Sequence, residues 1–348
     1  MGSYSIHLTV LFAFLTSLGV QIHALSPEYT ACQLQKSVVA SPLTGCPKGT
    51  IFVSPTDDRA SFKKVQDAIK SLPETGDAII LIGEGEYNEM VNVARAAPLT
   101  LLGQLDPYTA YDSAGNASQR NLVHIWNNLY VHDGLTDEET ATLTVAPASG
   151  EHFGNTNFRA YNIDFENRAA NYAISQALVT SLNHVNASFY GCTFASYQDT
   201  WYTGSGAYTY AVDSIIYGST DYLFGYGTAV HAAPGMGLYI ADSKIIRSPD
   251  ASATTVTNAQ CYLGRPWNDL AIAVYLRTYM DESIPPQILA LFHAPLTTPS
   301  LIQYGPGGGT SKRVAQDHIM TSEEVDKYFT LEEVFFETPA WIDFKYKY

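Results

Sequence analysis

Apolar and polar positions change their period once along this chain. In SFKKVQDAIKSLP, Phe62, Val65, Ile69 and Leu72 recur at helical spacing, Ser61 stands in capping position and Pro73 closes the run. That predicts a helix starting at Ser61. After it the pattern becomes short and β-rich: IILIG at 79–83, then LTLLG at 99–103, with Gly83 and Gly103 20 residues apart. Four further runs share one form, NIDF at 162, GCTF at 191, DSII at 213 and DSKI at 242. Each opens on Asn, Gly or Asp and ends on a large apolar residue, and the intervals are 29, 22 and 29 residues. Near the C-terminus, Thr321 to Glu324 and Thr330 to Glu333 have capping-box form ahead of apolar residues, which predicts short helices.

A strand, a polar turn residue and a repeat of this length describe a stacked solenoid. A leucine-rich repeat needs a denser Leu pattern, and βαβ units need a helix in each interval, for which 22 residues leave little room. The expected fold is all-β, a right-handed parallel β-helix solenoid with short capping helices at the ends. Its coils would stack about 4.8 Å apart.

Composition narrows the setting. The chain has 348 residues, 46% hydrophobic and 15% charged, enough for a large core and too apolar for disorder. A net charge of −15 disfavours nucleic acid and anionic membranes as partners. Residues 1–24 carry no Asp, Glu, Lys or Arg and contain the apolar run LTVLFAFL at 8–15, of signal-peptide length. The expected organisation is a signal peptide at 1–24 and one β-helix domain at 25–348, in a secreted, extracellular, monomeric protein. Four cysteines allow three pairings, and the short loop between Cys32 and Cys46 favours that pair. Asn116 and Asn186 head glycosylation sequons. GPGGGT at 305 lacks the Lys-Ser/Thr ending of a phosphate-binding loop.

The candidate chemistry follows from the period. Asp199, in YQDTWYTGSG, and Asp221, in GSTDYLFG, are 22 residues apart, as are Gln176 and Gln198. On coils of that length each pair would stack on one face. Two carboxylates at coil spacing cannot both ionise cheaply, which leaves a protonated acid beside an ionised nucleophile. Arg265, 44 residues beyond Asp221, falls two such periods on and would orient it. The two Gln amides could donate to an oxyanion, and Trp201, Tyr202, Tyr222, Phe224 and Trp267 could offer a sugar platform. Each residue also has a structural reading: a turn Asp, an internal amide ladder, a core aromatic.

At these motifs the chain resembles the pectin methylesterases, or pectinesterases. GCTFASYQDTWY, GSTDYLFG, LGRPW at 263–267 and QALV from Gln176 carry the resemblance, with FKKVQDAIKSLP and GEGEYNEMVNV before them. It runs from about residue 50 to about residue 340. It implies hydrolysis of galacturonate methyl esters in pectin (homogalacturonan), through an aspartyl acyl-enzyme and with no metal or organic cofactor. Asp221 would be the nucleophile, Asp199 the acid and then the base, and Gln176 and Gln198 the oxyanion donors. Arg265 would orient Asp221, and Tyr202, Phe224 and Trp267 would line the groove. Ser196, Trp201, Tyr222 and Leu223 depart from the family pattern, with Trp201 expected to reshape the groove. The interval from GSTDYLFG to LGRPW is shorter than the family's by about one coil. That keeps a catalytically impaired pectin-binding β-helix as an alternative. A β-helix pectate lyase or polygalacturonase leaves LGRPW and the Gln pair without a role. No G-x-S-x-G elbow points to a serine esterase.

Overall fold

The computed structural model describes residues 25–110, 121–225, 237–248, 261–263, 272–284, 301–304, 317–326 and 330–346. Short strands pair in parallel, each with the strand one coil away, so the chain winds as a parallel β-helix. The first sheet holds Ile51–Val53, Ala78–Ile82, Leu99–Gly103, Phe158–Tyr161, Asn186–Tyr190 and Tyr208–Val212. The second holds Gly85–Asn88, Val123–Asn127, Asp164–Asn167, Thr193–Ala195 and Ile215–Tyr217. The third holds Val91–Val93, Leu143–Val145, Thr180–Leu182, Trp201–Thr203 and Leu223–Gly225. Further along, Leu238–Ala241, Ala273–Leu276, Leu301–Tyr304 and Asp317–Ile319 form a four-stranded parallel sheet, and Lys244–Ile245 pairs with Tyr279–Met280.

The repeated runs sit at one corner of the coil. Asn162, Gly191, Asp213 and Asp242 take φ of 53°, 60°, 50° and 49°, a left-handed conformation that Asn, Gly and Asp tolerate best. The steps of 29 and 22 residues are the coil lengths: Phe165 pairs with Phe194, and Phe194 with Ile216. Residues 226–236, which lead towards the run at Asp242, lie outside the described residues. Arg277 holds the equivalent corner one coil beyond Asp242, with φ 48°. Its Nε and Nη2 donate to the Asp242 carboxylate at 2.7 and 2.6 Å.

Side chains alternate across each strand, and the inward set fills the tube. Phe158 and Phe189 meet at 5.8 Å, and Phe165 stacks on Phe194 at 5.7 Å, among buried Ile80, Leu99, Leu101, Val123 and Ile125. A second apolar layer covers the outside of the first sheet. There Tyr161 stacks on Tyr190 at 4.5 Å, flanked by Tyr29 and Tyr346.

The helix near Ser61 is shorter than its periodicity suggests, spanning Val65–Lys70. Ser61 donates its N–H to the Phe52 carbonyl and Phe62 bridges to Val53, so the strand claims both residues. Glu89 caps the helix instead, accepting from the N–H groups of Val65 and Gln66 at 2.9 and 3.0 Å. Val65, Ala68 and Ile69 join the interior core.

Both C-terminal capping boxes form, on Ser322–Val325 and Leu331–Phe335. The segment after them lies along the side of the solenoid. Arg159 and Ser188 donate to the Trp341 carbonyl, and Tyr161 donates to Asp343 at 3.0 Å. Cys32 and Cys46 form the expected disulfide, and Cys192 is a buried free thiol. Asn186 opens a central strand of the first sheet and donates its Nδ2 to the Thr156 carbonyl at 3.1 Å. Residues 1–24, Asn116 and the loop at 305 lie outside the described residues.

Candidate active site

The corner between the second and third sheets collects the candidate residues. Asp199 lies between Thr193–Ala195 and Trp201–Thr203, and Asp221 between Ile215–Tyr217 and Leu223–Gly225. Gln198 bridges to Thr220, and the Asp199 N–H donates to the Thr220 carbonyl at 3.0 Å, which sets Asp199 level with Asp221 on the next coil. The Ala177 N–H donates to the Gln198 carbonyl at 3.2 Å in the same relation, which sets Gln176 level with Gln198. Three residues later the step is one shorter. Val179 and Thr180 both donate to the Thr200 carbonyl at 3.1 Å, a bulge that brings Thr180 opposite Trp201.

The corner is tight. Asp199 and Asp221 have φ of 62° and 46°, strained for any residue with a Cβ and most tolerable for Asp and Asn. Gly218 admits no side chain, because a Cβ there would lie 2.2 Å from the Tyr222 Cβ. Ser196 donates to the Gln198 carbonyl at 3.2 Å, and Thr200 donates to the Tyr217 carbonyl at 2.8 Å. Ser196 thus fits the corner, and its hydroxyl bonds back to it.

Asp199 is 7% exposed. Burial, followed by the charges of Asp137 and Asp221, pushes its carboxyl up to about 7, against which a hydrogen bond with Gln198 acts. Asp137 went unseen in the sequence. It belongs to the loop at 128–142, which lies two coils before Asp199 in the strand order and is off the repeat. Burial pushes Asp137 up to about 6, with Glu138 adding to the rise and a hydrogen bond with Asp199 opposing it. A protonated carboxyl beside a carboxylate can give a proton to a leaving group and later take one from water.

The aromatics divide by strand alternation. Tyr202 pairs with Phe224 across adjacent coils, their rings 5.0 Å apart and half-buried on the outer face. Trp201 points inward instead, 5% exposed and edge-on to Phe189 and Phe194. Trp201 is core, so it does not reshape a groove. Arg265 and Trp267 lie outside the described residues. The segment that leads to them is described at Cys261, which comes near Tyr222, the neighbour of Asp221, whose phenol is raised by burial.

A second carboxylate group lies on the outer face of the second sheet. His124 Nδ1 is 3.3 Å from Asp164 Oδ2 and 3.2 Å from Glu166 Oε1. Arg168 donates to Glu166 at 2.7 Å and to Glu86 at 2.8 Å, with its guanidinium 4.8 Å from the Trp126 ring. Possible ligand atoms of His124, Asp164 and Glu166 lie within 4.8 Å of one another. The carboxylates are already paired with His124, Arg168 and Asn121, which explains their closeness without a metal.

Comparison with known proteins places the chain and its fold. The family model described as Pectinesterase matches residues 51–236 and 232–337. A probable pectinesterase A from Aspergillus niger is 29% identical over 323 residues, covering 87% of this chain and 90% of the relative. A probable pectinesterase/pectinesterase inhibitor 36 from Arabidopsis thaliana is 29% identical over 84% of this chain and 58% of its own length. Among solved structures, the pectin methylesterase from Aspergillus niger superposes with a TM-score of 0.62 at 24% identity, covering 86% of this chain and 98% of its own. The carrot pectin methylesterase gives 0.61 at 21% identity, over 86% of this chain and 94% of its own.

Proposed function

The chain belongs to the pectinesterase family, and on that premise we propose that it hydrolyses the methyl esters of galacturonate units in pectin. The observation that carries the reading is the pair Asp199 and Asp221, level on adjacent coils, with Asp199 buried and drawn up to about 7.

The Asp221 carboxylate attacks the ester carbonyl carbon, and Gln176 and Gln198 donate to the resulting oxyanion. The C–OCH3 bond breaks, and Asp199 gives its proton to the methoxy oxygen, releasing methanol and leaving an anhydride on Asp221. Asp199, now a carboxylate, takes a proton from water. The hydroxyl adds to the acyl carbon, Asp221 leaves as a carboxylate, and the pectin unit becomes a free acid. Tyr202 and Phe224, with Trp267, would line the sugar groove. Arg265 would orient Asp221, a role supported by the approach of the Cys261 segment to Tyr222.

The uncharged, apolar start of the chain supports a signal peptide at 1–24 ahead of one secreted domain at 25–348, and the Cys32–Cys46 disulfide fits an oxidising compartment. No helix among the described residues is long and apolar enough to cross a membrane. A charge of −15 disfavours retention on the anionic product. Early product should therefore carry scattered free acids, and NMR that found long contiguous runs would contradict this.

The decisive test is methanol release from highly methylated pectin. The protein should release methanol, and Asp221→Ala should not. Pectin binding without methanol from the unmodified protein would favour the impaired-binder reading.

A further inference from the structure

We propose that Asp137 is a positioning residue of this active site, which keeps the proton on Asp199 and orients it between turnovers. The inference rests on Asp199 being the acid of the proposed reaction.

The geometry begins in the loop at 128–142. Leu99 pairs with Phe158, a step of 59 residues, and this long coil includes an excursion at 128–142. The excursion at 128–142 is tied down on the coil above it. The Val131 N–H donates to the Gln176 carbonyl at 2.9 Å. Thr140 Oγ1 donates to the Asp137 carbonyl at 2.7 Å and accepts from the Leu178 N–H at 3.0 Å. Asn127 and Asn167 both donate to the Thr140 carbonyl, at 3.0 and 3.2 Å. One hydroxyl thus fixes Asp137 to the coil that carries Gln176, within reach of the next corner.

At that corner Oδ1 of Asp137 and Oδ1 of Asp199 are both buried and accept no hydrogen bond from any donor among the described residues. The two carboxyls lie close enough to bear on each other's protonation. Two ionised carboxylates have no proton with which to satisfy each other, whereas one proton between them satisfies both. Among the described residues, the other charged groups bearing on the pair are Asp221, from the next coil, and Glu138, beside Asp137. Each is an acid, so each favours keeping that proton. Asp137 therefore accepts from the Asp199 hydroxyl in the resting site, and its charge opposes loss of the proton.

The test is a carboxyl titration by 13C NMR on protein labelled at Asp. The wild type should show a carboxyl titrating near pH 7 that is absent in Asp199→Asn. In Asp137→Asn and Asp137→Ser that midpoint should fall by about one pH unit or more, and Asp137→Glu should restore it. The alkaline limb of kcat/KM should move with it. An unmoved midpoint in folded Asp137→Asn or Asp137→Ser, even with a lowered Tm, would overturn the proposal and leave Asp137 a loop anchor. The titration needs no turnover, so it decides this point even if the protein releases no methanol.

Discussion

On the outer face of the second sheet, Asp164 and Glu166 meet His124 and Arg168; at the corner beside it, Asp199 meets Asp137 and Asp221. Glu166 and Asp199 are half-buried and buried carboxyls on the same solenoid, and they shift in opposite directions, while burial raises Asp164 against its bonds with Asn121, Thr193 and His124. Burial alone would raise Glu166, but hydrogen bonds from His124 and Arg168 reverse that and hold it down to about 2. The bond to Glu166, followed by the charge of Asp164, raises His124 in return against burial. Asp199 receives the same burial penalty, and the neighbours that raise it further are other carboxyls. The paired group binds neighbouring strands together. The acidic corner holds a proton near neutrality at some expense in stability, as an acid catalyst requires.

This contrast can be broken from either side. The largest effect is expected at the corner: Asp199→Asn should lower methanol release by about 10²–10⁴-fold, while its Tm stays equal or rises. A Tm that fell with the activity would make Asp199 structural. On the outer face, Glu166→Gln should do the reverse. It leaves kcat/KM near that of the wild type and destabilises by about 2 kcal/mol, read from urea unfolding. A loss of activity at full stability would move that cluster into the chemistry.

A further effect is in the pH dependence of stability. Glu166 is depressed, so its contribution is present above its ordinary value and is lost as pH falls through about 2. His124 is raised, so its contribution is complete below its ordinary value and is lost as pH rises through its folded one. Asp199 is also raised, so the folded state loses stability as pH rises through about 7. Urea midpoints should therefore fall as pH rises from the ordinary carboxylate range to about 7 in the wild type, and fall less in Asp199→Asn. An equal slope in both proteins would contradict the buried proton.

Much of this was legible before any coordinates. The coil corners announce themselves because Asn162, Gly191, Asp213 and Asp242 must turn left-handed, and few residue types do so cheaply. Asp199, Asp221, Gln176 and Gln198 were visible because their coils keep one length. Arg277 takes the same corner but is no turn former, so its coil escaped notice. Ser61 and Phe62 carry helical spacing, yet strand pairing outweighs one turn of helix. Trp201 reads as a groove residue until the pleat sends it inward. Asp137 lies in an excursion that follows no period, and tertiary anchors such as Thr140 and Val131 bring it to the site.

The acidic corner is tested most directly by the pH dependence of kcat/KM for methanol release from highly methylated pectin. Attack by Asp221 is productive only while Asp199 still carries its proton. The rate should fall as pH rises, with a midpoint near 7, the value to which burial and the neighbouring carboxyls raise Asp199. A rate that holds level well into the alkaline range, or climbs there, would mean that Asp199 is not the proton donor.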